Sequence, residues 1–165
     1  MPHTNDADAV AGVAGPEACL RRTRTAVLNV LVGVGLIIAV SGWLLRRRAE
    51  DIIRPAPRMH EGLLLALVFV AVTSYLIRRT GLGRLSGVPA VRREGRFYWS
   101  HVGSAAIAAI GVPLGLVYGW FVDPRLEGVI PFWVVPLALG FLAIPRRGEL
   151  DDLSPTPPNP EAPSK

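Results

Sequence analysis

His60 and His101 are the residues of this 165-residue chain whose type and setting could hold a cofactor. Each stands at the edge of an uncharged stretch. There an imidazole could be an axial ligand to haem iron or to the magnesium of a chlorophyll-type pigment, and two imidazoles on one iron would make an electron-transfer centre. Their placement argues against one iron shared within a chain. His60 opens one apolar stretch, and His101 opens the next from the opposite side. If both stretches cross a bilayer, the rings stand roughly 25–30 Å apart, and each would need a partner chain to complete its site. The plainer expectation for both is an interfacial histidine bonded to headgroups or water. Three histidines without a Cys or Asp cluster do not have the ligand spacing of a metal site.

Other chemistry is weaker. Asp123 and Glu127 are four apart and could face each other, but they flank Arg125 and read as loop charge rather than an acid–base pair. Cys19 is the one cysteine, which excludes a disulfide within the chain, and no apolar run precedes it as a lipid-attachment site requires. Gly81-Leu-Gly83 lacks the preceding strand and the following Lys-Ser/Thr of a phosphate loop. No nucleophile–base arrangement is visible, and no catalytic residue is assigned.

The elements that would position these residues are four blocks from which charge is excluded: Thr25–Leu45, Gly62–Ile77, Val102–Val122 and Val129–Ile144. With a mean hydropathy of +0.37, this pattern suits a helical membrane protein. The third block has 21 residues, roughly 31 Å as a helix, which matches a bilayer core. The second and fourth have 16 residues and need their interfacial flanks to span. The expected fold is an all-α bundle of four transmembrane helices, with spans at about 25–45, 60–78, 101–122 and 129–145. Residues 1–23 and 146–165 read as tails, the latter with five prolines in its last eleven residues.

Two small-residue faces stand out. Gly111, Gly115 and Gly119 repeat at i, i+4 and i+8 in the third span, and Gly35, Ala39 and Gly42 form a similar face on the first. Such faces let another helix approach at backbone distance. The occupant of the third span's face is either a helix of the same chain or another subunit. Pro113 cannot donate to the carbonyl of Ala109, so a kink is expected there. Asn29, the one amide inside a span, should bond across to a neighbouring helix, and Thr73 and Ser74 should bond back to their own helix. No ionisable residue lies deep in any block, which argues against an ion-coupled transporter acting alone.

The net charge is +5, and 17 of 18 cations are arginines that flank the spans, which suits lipid headgroups rather than nucleic acid. Placing both termini in the cytoplasm puts eleven span-flanking arginines inside and six outside, five of the six in the first loop, Arg46–His60. Arg92, Arg93, Arg96 and Trp99 then lie on a cytoplasmic segment as contacts to lipid or a partner. All four tryptophans fall at span ends, an aromatic belt. The scarcity of lysine points to a GC-rich bacterial genome, hence an inner (cytoplasmic) membrane. The function these features favour is a non-catalytic accessory subunit of a larger membrane complex, respiratory, photosynthetic or transport-related. Its partners are lipids and other membrane subunits or copies of itself. A haem- or pigment-binding electron-transfer subunit and an oligomeric channel or transporter are the alternatives.

Overall fold

The computed structural model describes residues 15–48, 57–83 and 90–150. They form α1 (Pro16–Arg48), α2 (Pro57–Gly83), α3 (Ala90–Ala109), α4 (Gly111–Phe121) and α5 (Leu126–Leu142), followed by a 3-10 turn at Arg147–Leu150, with no strand among them. α3 and α4 are two halves of one long helical segment, so the described residues form an all-α bundle of four helical segments. Pro16–Arg47, Arg58–Gly83 and Arg92–Phe121 are each long and apolar enough to cross a membrane, and α5 is a shorter apolar helix.

The spans alternate in direction. The start of α1 meets the start of α3 where Cys19 packs on Phe97, and the end of α1 meets the end of α4 where Leu45 covers Gly119. Gly81, near the end of α2, lies against Ser100 of α3, so close that a side chain at 81 would strike it. α5 runs back along α4. The core is a column of three clusters: Cys19 with Phe97, then Val27, Leu31, Ala105 and Ala143, then Leu45, Leu67, Tyr118, Val122, Val129 and Phe132.

The outside of the bundle is apolar. Val32, Leu36, Val40, Leu65 and Phe69 are 57–71 % exposed, while Thr23, Ser41, Ser74, Ser100, His101 and Ser104 are buried. A surface of this kind is costly in water and suits lipid. Burial of the serines carries a matching constraint, because a buried hydroxyl needs a partner.

The helices extend beyond the expected spans. α1 begins at Pro16, so residues 16–23 are helix rather than tail. Proline suits the first helical position, Glu17 complements the helix dipole, and the Gly15 carbonyl accepts from the amides of Ala18 and Cys19. α2 runs to Gly83 and α3 starts at Ala90, so most of the expected second loop is helical too. Residues 146–150 pack against the bundle rather than leaving it. The expectations for 1–14, 49–56, 84–89 and 151–165 lie outside the described residues.

The third span breaks at Ile110, three residues before Pro113. Ile110 N bonds to Ile107 O at 3.1 Å, a tightened turn, and its backbone stays helical at φ −61 and ψ −25. The break is a change of pitch imposed by the missing proline N–H.

Two polar expectations change. Asn29 stands on the exposed side of α1 and does not point at another helix. Ser74 does not bond back to α2. Its hydroxyl donates to the Ser104 carbonyl of α3 at 2.9 Å and lies 3.1 Å from the Ser104 hydroxyl. Both serines are buried, and the one hydroxyl proton of Ser74 goes to the carbonyl of α3 rather than to one of its own helix. Ser74→Ala is expected to cost about 1 kcal/mol, read as a lower midpoint in a denaturant titration of the detergent-solubilised protein. Thr23, Thr25 and Thr80 do bond back, to Cys19, Arg21 and Leu76.

Candidate functional site

The densest polar cluster lies where α2, α3 and α5 meet. His101, three turns into α3, is fully buried, with its ring 4.6 Å from that of Phe97 one turn earlier. Its Nδ1 lies 2.7 Å from the Ala143 carbonyl at the end of α5. A carbonyl only accepts, so Nδ1 carries the proton. Nε2 faces Glu149 Oε2 at 3.4 Å. Glu149 comes from the 3-10 turn. Its Oε1 accepts from Arg78 Nη2 at 3.1 Å and its Oε2 from the Arg146 amide at 3.0 Å. Arg78 also donates to the Leu142 carbonyl.

The arrangement closes the C-terminus of α5. The last carbonyls of a helix have no partner within it, and here an imidazole and a guanidinium from two other helices satisfy those of Leu142 and Ala143. A cation at that end also complements the helix dipole. Glu149 then balances Arg78. His101 is thus bonded inside the protein through Nδ1 and not to headgroups, while Nε2 faces Glu149 without a hydrogen bond.

His60 lies at the other end of the bundle. Its Nδ1 is 2.8 Å from the Tyr118 hydroxyl, with the rings 5.5 Å apart. Tyr118 in turn packs on Phe132. Tyr118 follows His101 by 17 residues on the same span, about 25 Å of helix. The two histidines therefore occupy opposite ends, and neither supports a ligand set with the other.

The two small-residue faces differ. Gly111, Gly115 and Gly119 lie against α5 of their own chain. A methyl group at Gly111 would come within 2.5 Å of Pro136 Cγ, at Gly115 within 2.7 Å of Phe132 Cβ, and at Gly119 within 2.7 Å of Leu45 and 3.1 Å of Val129. Val129, Phe132 and Pro136 are themselves one face of α5, so the hairpin closes glycine against bulk, turn by turn. On α1 only Gly42 has a neighbour, Trp133 Cη2 at 3.4 Å. Gly33 and Gly35 have nothing within 4 Å, and Ala39 is exposed. No family model, curated protein or solved structure matches this chain.

The remaining candidates are at the rim. Arg92 and Arg96 are exposed on the first turns of α3, Arg93 is half-buried, and Trp99 is 68 % exposed. Arg96, Trp99 and Ser100 border a cleft of about 370 Å³ against Ile77, Thr80 and Gly81 of α2. Arg47 stacks on Trp43 at 3.9 Å and Arg22 on Tyr98 at 5.5 Å, pairings expected at a membrane interface. Trp133 departs from the expected belt. α5 begins at Leu126, which places Trp133 two turns in, wedged between Gly42 and Gly115. Asp123 accepts from the Arg125 amide at 3.0 Å and shapes the α4–α5 turn, which accounts for it without acid–base chemistry.

Proposed function

We propose that the protein is a non-catalytic accessory subunit of a larger membrane complex, of respiratory, photosynthetic or transport type, which acts by helix packing. The observation that carries this reading is the open stripe on α1. Gly35 and Ala39, about one turn apart on one face, sit among Val32, Leu36 and Val40, all uncovered, while the equivalent glycines of α4 are filled from within the chain. Lipid makes no demand for small residues, and glycine weakens a helix relative to alanine. A second helix does make that demand. The partner is a transmembrane helix of another subunit, lying along α1.

The haem or pigment reading is weaker, since the two imidazoles stand at opposite ends of the bundle and His101 is fully buried beside the Glu149 carboxylate. A channel or transporter is weaker too, because Phe132, Trp133 and Pro136 fill the space beside the α4 glycines. The arginine distribution favours the cytoplasmic membrane of a bacterium with both chain ends inside, the end that holds His101 and Glu149. Native mass spectrometry of the tagged protein, extracted gently from its own membranes, tests the proposal. Partner chains at a fixed stoichiometry are expected. A lone chain, or a species carrying haem, would refute it.

A further inference from the structure

We propose that the cleft between α2, α3 and α5, beside Arg78 and Arg79, binds the phosphate-bearing headgroup of an anionic phospholipid. The inference rests on the membrane placement above and not on the identity of any complex. The cleft encloses about 330 Å³, at the small end of ligand sites. That is room for a headgroup and the first carbons of its chains, and not for a whole lipid.

Its walls divide by chemistry. Arg78 and Arg79 follow directly on Ile77, the last residue of the second uncharged block, so they stand at the level of lipid phosphates. Arg78 is held in place: Glu149 and the Leu142 carbonyl take two of its five N–H donors, and its side chain keeps 22 % exposure. A guanidinium fixed this way presents donors to an anion at little further entropic cost. Glu149 neutralises part of its charge, and the exposed Arg79 supplies the excess positive charge. Towards the bundle the wall is Leu139 and Leu142 of α5 with Ser74 and Ser104, whose hydroxyls are bonded to one another. Tyr75 at the rim is half-exposed, as is Leu142. From that rim an acyl chain can continue over Val72 and Leu76, which are also half-exposed. Positive charge, the leucines of the wall and the open apolar run occur in the order of a phospholipid's own parts. A free phosphate would use only the first of them.

The test uses the full chain, purified in detergent and stripped of lipid, with its unfolding temperature followed by tryptophan fluorescence. Phosphatidylglycerol in mixed micelles is expected to raise that temperature more than phosphatidylcholine does. Arg79→Gln should weaken the phosphatidylglycerol response roughly fivefold, the effect of one arginine near an anionic headgroup. Arg147→Gln, the same charge change at the same end but outside the cleft, should leave it intact. No preference between the two lipids, or an equal loss in both variants, would overturn the site. An equal shift with inorganic phosphate alone would overturn the lipid assignment. Alkaline washing of native membranes separates the two levels. Release of the protein would refute the membrane placement, whereas retention without a lipid preference would refute the cleft alone.

Discussion

Gly115→Leu should prevent the α4–α5 hairpin from closing. The first carbon of the new side chain would already lie 2.7 Å from Phe132 Cβ and 3.2 Å from Trp133 Nε1. Phe132 Cβ is attached directly to the α5 backbone, so rotating the phenyl ring gives no relief, and the helices themselves must part. Phe132 is fully buried, and Gly111 and Gly119, one turn away on either side, are as tightly covered. Displacement at the middle position therefore opens the whole face. Overpacking of this kind costs about 1–3 kcal/mol, occasionally more, and a rigid contact on three successive turns puts this variant at the upper end. The expected result is a large drop in the unfolding midpoint of the detergent-solubilised chain, whether or not any partner is present. A midpoint equal to that of the wild type would mean that α5 does not lie on this face.

The second large effect is expected at Glu149. It balances Arg78 and accepts from the Arg146 amide, so Glu149→Met leaves one cation without its counter-charge and one backbone amide without its acceptor. The cost is about 1–3 kcal/mol. Arg78→Met should cost a similar amount, since it also frees the Leu142 carbonyl. The two losses share one interaction, so the double variant should be less destabilised than the sum of the singles, by about 0.5–3 kcal/mol. Denaturant titrations of all three variants measure this. Strict additivity would mean that Glu149 does not pair with Arg78 and that the residues after α5 are a free tail.

What the sequence disclosed depended on the range of the interaction. The four apolar helical segments and their alternation were legible because charge exclusion is a local property of each block, and the six residues between the third and fourth blocks admit little but a hairpin. The glycine repeat of α4 announced a close contact but not its occupant. That followed only from the register of Val129, Phe132 and Pro136 on α5, a second face that reads as ordinary apolar sequence. Glu149 carried no signal, because its partners are 48 and 71 positions away. In the chain it is one acid beside two arginines. Trp133 misled because a tryptophan near a span end resembles a belt residue, and moving the helix start to Leu126 put it in the interior. Pro16 and Glu17 are a helix start in plain view. They were masked by the Pro-, Gly- and Asp-containing stretch around them.

Both glycine stripes look alike in the sequence, and the structure separates them. The α4 stripe is covered by its own chain, whereas on α1 Gly42 is covered by Trp133 and Gly35 and Ala39 are bare. The most direct test of the account is therefore Gly35→Leu, expressed in native membranes and examined by native mass spectrometry beside the wild type. Since nothing lies within 4 Å of Gly35, the isolated chain should unfold at the same midpoint as the wild type or slightly above it, as glycine leaves a helix. The partner chains should be lost from the variant and retained by the wild type. Partners retained at unchanged stoichiometry in the Gly35→Leu protein would contradict the central claim that α1 carries the docking face.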